Sequence, residues 1–359
     1  MAARKINFNP GPAALPLPVL EKLAANTVET DGAGMSVYEM SHRSKEFEKI
    51  LADAQSRMRQ LFGIPEDYHI MFVGGGASLQ FCMVPMNFLQ GGSADYVRTG
   101  EWAKKAAEEA KRYGAVRFAG DTKADNFNHL PDKLDLDPNA KYVHITTNNT
   151  IFGTEYRDFP ATGNVPLFAD MSSDLMSHRW DVKKFSLIYA GAQKNLGIAG
   201  VTIVVLKKDL LERVAKDIPT MLSYKTHADN NSLFNTPPCG PIYVTKLVLD
   251  WMADLGGLEV IEQRNRTKAE LLYGTLDKHA DFYKGTVVNK EHRSWMNVCF
   301  RLPSEQLEEK FIKEGSAQGL HGMKGHRSVG GVRVSMYNAI SPEEIQKLVD
   351  YMEKFRKAN

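Results

Sequence analysis

Apolar positions along this chain follow two grammars. From about residue 16 to residue 255, short and nearly continuous apolar runs alternate with longer stretches in which apolar residues recur every three or four positions. The short runs predict strands buried on both faces, and the longer ones predict helices packed over them. That alternation is the pattern of a mostly parallel sheet with helices on both sides. HIMFVGGG (69–76) predicts a strand and turn, ASLQFCMVPMNFLQ (77–90) a helix, ADYVRTG (94–100) a strand and EWAKKAAEEAKRYG (101–114) a helix. KYVHITTN (141–148), VPLFAD (165–170) and SLIYAGAQ (186–193) predict further strands, and LGIAGVTIVVL (196–206) a glycine-loosened turn entering another.

After LGGLE (255–259) the pattern changes. A long helical stretch, VIEQRNRTKAELLYGTLDKH (260–279), leads to the strands SWMNVCFRL (294–302) and GVRVSMYN (331–338), with the helix EQLEEKFIKEG (305–315) between them. This part predicts a smaller α+β domain. In SPEEIQKLVDYMEKF (341–355), Ser341 and Glu344 form a candidate capping box, Pro342 takes the first helical position, and Ile345, Leu348, Val349 and Met352 mark one apolar face.

Composition narrows the function classes. The 359 residues are 43% hydrophobic and 25% charged, enough for a large core and, by length, for about two domains. Lys and Arg number 45 against 43 Asp and Glu, so no overall field recommends nucleic acid or an anionic membrane, and any anion site must be local. Cys82, Cys239 and Cys299 are too scattered for a disulfide framework or zinc cluster, and their neighbours predict reduced, buried thiols. The start MAARKINFNPGPAALP lacks an apolar leader core, and runs such as VTIVVL are far below spanning length, so the expected location is the cytoplasm.

Three features carry chemistry. Lys194, in YAGAQKNLGIAG, sits between a buried strand and a glycine-rich turn, surroundings in which a cationic chain must either reach solvent or be held and tuned. GGGASLQF (74–81) leaves a strand and opens a helix whose free N–H groups suit a phosphate, although it has neither Walker nor GxGxxG spacing. Asp170 ends a strand in LFADMSSD, where ligands of parallel sheets gather. A phosphate cradle, a strand-end carboxylate and a strand-end lysine are the three handles of pyridoxal phosphate: one holds the phosphate, one keeps the pyridine nitrogen protonated, and one forms a Schiff base.

With these in place, NFNPGPAALP, MSHRS, GGGASLQF, TGEWAKKA, NNTIFGTE, ADMSSD, YAGAQKN, FNTPP and GHRSVGGVRVSMYNA together resemble the phosphoserine aminotransferase family, in its order and over essentially the whole chain. The resemblance implies a fold-type I pyridoxal phosphate enzyme. Its large domain would span 16–258, and its small domain 1–15 with 259–359. It implies Lys194 as the Schiff-base lysine, Asp170 at the pyridine nitrogen, Trp102 stacked on the ring, Thr150 at the ring hydroxyl, and Ala77, Ser78 and Gln193 at the phosphate. Asn235 and Thr236 would complete the phosphate site from the other subunit of a homodimer. Arg43 and Arg333 would anchor substrate anions, with His42, His326 and Arg327 at the distal end. The segment ASLQ lacks the arginine that some relatives carry there. The implied reaction moves the amino group of L-glutamate to a phosphorylated 2-oxo acid, in serine biosynthesis and, in some bacteria, also in vitamin B6 synthesis. Another small-acid class V aminotransferase, a pyridoxal-phosphate-binding protein without turnover and a nucleotide-binding module are the alternatives; a cysteine desulfurase is disfavoured, since Cys239 in TPPCGP is its only loop-like nucleophile.

Overall fold

A computed structural model describes residues 4–359; residues 1–3, at the start of the expected small domain, lie outside the described residues. The chain enters through β1 (Ile6–Asn7), α1 (Leu17–Ala25) and α2 (Lys45–Phe62). It then alternates β2 (Tyr68–Val73), α3 (Gly76–Phe88), β3 (Ser93–Arg98), α4 (Glu101–Ala110), β4 (Ala115–Asp121), β5 (Val143–Thr146), β6 (Leu167–Asp170), β7 (Leu187–Gly191) and β8 (Thr202–Lys207). The strands from β2 to β8 form one sheet in the order β2-β8-β7-β6-β5-β3-β4. Pairs among β3 to β7 are parallel, whereas β8 runs antiparallel to both of its neighbours, β2 and β7. The expected mostly parallel sheet is therefore present, with β8 as its exception. The segment between β7 and β8 is too short for the crossover a parallel pair needs.

Every residue of β5, β6 and β7 is buried, because helices cover both faces. On one side Phe47, Ile50 and Leu51 of α2, with residues of α6 (Cys239–Asp254), pack on Ile145, Ala169 and Ile188. On the other, Phe81, Val84 and Phe88 of α3 and Ala106, Ala107 and Ala110 of α4 pack on Tyr96, Phe168 and Tyr189. Local signals set the ends of α2: the Ser44 hydroxyl accepts from Phe47 N at 3.2 Å, and Gly63 closes the helix at φ 67°, a conformation glycine adopts without Cβ strain.

The short helix α5 (Tyr224–Asp229) precedes α6, and α7 (Leu258–Lys278) leads away from the sheet. Beyond it come β9 (Lys284–Gly285), β10 (Asn297–Arg301), α8 (Glu305–Ala317), β11 (Leu320–His321), β12 (Val332–Ser335) and α9 (Pro342–Ala358). β12, β10 and β9 form an antiparallel sheet, and β1 returns to pair in parallel with β11. A second core results, built from Phe8, Leu272, Tyr283, Phe300, Phe311 and Met352 among others. Polar side chains join the two cores. Asn148 Nδ2 donates to Asn297 Oδ1 at 2.7 Å, and Asn265 Nδ2 donates to Asn338 Oδ1 at 2.9 Å, all four residues being buried. Each of these bonds offsets part of the cost of burying the amides.

Two smaller expectations meet different outcomes. Cys299 is buried as expected, but Cys82, in the middle of α3, and Cys239, at the start of α6, are half-buried; all three are free thiols. No helix among the described residues is long and apolar enough to cross a membrane.

The capping box of α9 is present in both directions: Ser341 Oγ accepts from Glu344 N at 3.2 Å, and Glu344 Oε2 accepts from Ser341 N at 2.8 Å. Ile345, Leu348 and Met352 are fully buried, Val349 is half-buried, and Tyr351 and Phe355 extend the apolar face. Ser341→Ala should therefore lower stability by about 1 kcal/mol, read as a shift of the chemical-denaturation midpoint without change in slope.

Candidate active site

Several pieces of backbone meet at one cavity of about 270 Å³. They are the turn opening α3, the ends of β5 and β6 with the turns that follow, the turn after β7, and an N-terminal segment through Pro10 and Gly11; His326 and Arg333 close it from the second core. Ligand sites of open parallel sheets lie beyond the carboxyl ends of the strands, and this one does too.

The turn into α3 is set by glycine. Gly75 and Gly76 take φ values of 91° and 68°, and α3 starts without any side-chain cap, leaving the N–H groups of its first turn facing the cavity beside Ala77 and Ser78. An uncapped helix start with its positive dipole end is a site for an anion. Trp102 comes from the first turn of α4, its indole Nε1 without a partner among the described residues, and Lys105 Nζ lies 4.7 Å from the ring centroid.

At the end of β6 the carboxylate of Asp170 is buried, with Oδ1 accepting from both the backbone N (2.9 Å) and the hydroxyl (2.6 Å) of Ser172. Burial pushes its proton affinity up, while the Ser172 bonds and the charge of Lys194 pull it down. Lys194 is half-buried, and its amine donates to Thr150 Oγ1 at 2.8 Å. Burial lowers its pKa to about 8, against the pull of the Asp170 and Asp174 carboxylates and aided by the charge of Arg333. A larger share of neutral amine than an ordinary lysine carries at neutral pH makes it a usable nucleophile and base. Arg333 is buried, donates from one terminal nitrogen to Thr150 O at 3.2 Å, and forms no ion pair among the described residues, its Nε being unpartnered as well. A buried guanidinium without a counter-charge is costly, and a carboxylate or phosphate ligand removes that cost. His326 reaches the same cavity; its Nδ1 lies 2.7 Å from the Ser328 hydroxyl and accepts from Ser328 N at 3.3 Å. That bond selects the tautomer with its proton on Nε2. Burial lowers its pKa, as do the charges of Arg333, Arg327 and Lys105.

Of the residues expected from the sequence, Ala77, Ser78, Trp102, Thr150, Asp170, Gln193, Lys194, His326 and Arg333 line this one cavity. His42, Arg43, Arg327, Asn235 and Thr236 do not: His42 is buried with Nε2 unpartnered, and the other four are exposed on this single chain. Sequence reasoning missed Ser172 as the group that holds Asp170, although the hydroxyl pair after Asp170 was visible. It also missed Pro10 and Gly11, whose only signal was a Pro-Gly-Pro string without periodicity.

The donors present fit pyridoxal phosphate. The uncapped start of α3 suits its phosphate, the buried Asp170 its ring nitrogen, the unpartnered wall atoms Thr146 Oγ1 and Trp102 Nε1 leave polar capacity for a ligand, and Lys194 offers the amine.

Comparison with known proteins agrees. A sequence profile of the family described as aminotransferase class-V matches residues 6–348. A phosphoserine aminotransferase of Desulfosudis oleivorans is 55% identical over 362 residues, covering 100% of both chains. Among solved structures, the phosphoserine aminotransferase from Bacillus circulans subsp. alkalophilus superposes with a TM-score of 0.97 at 49% identity, covering 99% of each chain. The pyridoxal-phosphate-bound phosphoserine aminotransferase of Trichomonas vaginalis gives 0.92 at 37% identity, covering 98% of this chain and 100% of that one. With this site, this fold of type I and these relatives, the chain belongs to the class-V aminotransferases, in the phosphoserine aminotransferase family, and pyridoxal phosphate is its cofactor.

Proposed function

We propose that this protein is a phosphoserine aminotransferase of serine biosynthesis, moving the amino group of L-glutamate to 3-phosphohydroxypyruvate to give O-phospho-L-serine and 2-oxoglutarate. The observation that carries this reading is the pairing, in one cavity, of a lysine amine with a buried guanidinium that has no counter-charge among the described residues. The cytoplasm is its proposed location.

Bound pyridoxal phosphate supplies an electron-withdrawing ring that weakens the Cα–H bond of an attached amino acid. The chain supplies the rest. The first turn of α3, with Ala77, Ser78 and Gln193, holds the phosphate, and Asp170, fixed by Ser172, keeps a negative charge at the ring nitrogen. Trp102 offers a flat face to the ring. Lys194, once freed by the incoming amine, takes the α-proton on Nζ, and Thr150 Oγ1 holds that nitrogen near the cavity wall. Arg333 receives the α-carboxylate as a bidentate fork. His326 donates from Nε2 toward the distal anion, joined by Arg327, His42 and Arg43. In one chain none of His42, Arg43, Arg327, Asn235 and Thr236 lines the cavity wall, and the proposal is a homodimer in which each site is completed across a two-fold axis.

Four outcomes are expected. With glutamate as donor, a panel of 2-oxo acids should show kcat/KM at least about a hundredfold higher for the phosphorylated acceptor than for its unphosphorylated counterpart, as loss of several charged hydrogen bonds dictates; equal rates would point to another small-acid aminotransferase. Borohydride reduction and peptide mapping should fix the cofactor on Lys194, and Asp170→Asn should keep the cofactor but lose about a hundredfold or more in kcat, because a neutral amide cannot sustain the ring-nitrogen charge. Finally, mixing Lys194→Ala with the Asn235→Ala, Thr236→Ala double variant should restore up to about half of wild-type activity per hybrid dimer, since one site in two is then intact; hybrids without activity would remove these residues from a shared site.

A further inference from the structure

The N-terminal segment crosses from the second core to the cavity, and one buried tyrosine holds it there. Residues 6 and 7 pair with β11, Phe8 N donates to His321 O at 2.8 Å, and Ser335 N donates to Phe8 O at 3.3 Å. Beyond Phe8 the segment leaves that sheet and lies along the lysine. A Cβ placed on Gly11 would stand 3.6 Å from Lys194 Cγ and 3.8 Å from Lys194 Cε, so the Gly11 backbone rests on the stem of Lys194. Its far end is tied at Ala13, whose N–H donates to Gln193 O at 2.9 Å. Between the two ends, the tie to the second core is the hydroxyl of Tyr337, which donates to Pro10 O at 2.9 Å and accepts from Asn297 Nδ2 at 3.2 Å.

Tyr337 is itself fixed from behind. It is fully buried, and its carbonyl accepts from Lys268 Nζ at 2.8 Å, the same ammonium donating to Met336 O at 2.7 Å. Lys268 is fully buried on α7 and makes no ion pair among the described residues; its bonds go to these two carbonyls. A chain of contacts thus runs from α7 through Tyr337 and Pro10 to the stem of Lys194.

We propose that Tyr337 is a positioning residue: by holding Pro10 O it braces residues 8–13 against the stem of Lys194 and limits the directions in which the amine moves between holding the cofactor and carrying a proton. This rests on the reading of Lys194 as the cofactor-bearing amine. Tyr337→Phe removes the hydroxyl and little volume. In the holoenzyme, the amides of residues 8–13, above all Ala13, should exchange hydrogen about tenfold faster, with β12 and α9 unchanged. The visible circular dichroism of the bound cofactor should change, and kcat for glutamate should fall about tenfold with KM within about twofold, because the amine loses alignment and not substrate contacts. Gly11→Ala, which strains a backbone at φ 142° while leaving Tyr337 and the second core in place, should reproduce all three effects. It decides the matter if Tyr337→Phe loosens the whole second core. Unchanged exchange at 8–13 in both variants, or altered exchange with an unaltered dichroism and kcat, overturns the brace. Cofactor fixed by borohydride to a different lysine overturns the reading of the site instead, while the exchange result stands by itself.

Discussion

An amine that is surrounded by protein and still free to move is the constraint on which this architecture depends. Burying Lys194 lowers its pKa and makes it reactive, but burial also penalises its charged form, so the surroundings must balance the two. Asp170 and Asp174 bear on it with negative charge, and Arg333 with positive. Among the described residues its amine donates to a neutral hydroxyl, that of Thr150, which releases it more readily than a carboxylate would. The ends of β5 and β6 with their turns contribute Thr150, Asp170 and Asp174, and the second core contributes Arg333, which is why the amine lies where the sheet end and the second core meet.

Rigidity around that amine comes from groups with no part in bond making. Ser172 uses both its hydroxyl and its backbone N–H on one oxygen of Asp170, fixing a buried carboxylate that would otherwise seek its own partner. Asn148 spans the junction, donating to Ser173 at 2.9 Å and to Asn297 at 2.7 Å while it receives Ser294 Oγ at 2.5 Å. These bonds hold the second core, and with it Arg333, against the ends of β5 and β6.

Legibility in the sequence followed locality. The capping box at Ser341, the α3 turn and the strand-end placement of Asp170 and Lys194 depend on residues within a few positions of one another, and each could be read from spacing. TIVVL itself reads like any other strand of the sheet, and the antiparallel direction of β8 shows only in the shortness of the link from β7. The partners Tyr337 and Pro10, 327 residues apart, carry no shared signal at all. Arg43, Asn235 and Thr236 entered the reading through the family resemblance, and a single chain leaves them on its surface. Their neighbours in sequence hold no hint of what they would touch.

The pairing of β1 with β11 has a consequence for the order in which the molecule is made. The segment that covers Lys194 leaves the ribosome more than 300 residues before its docking partners, His321, Ser335 and Tyr337. Closing a loop of more than 300 residues is entropically modest once both ends exist, but it cannot happen before. A chain cut short before Tyr337 therefore leaves its lysine uncovered, and the pocket is complete only once the second core has been made.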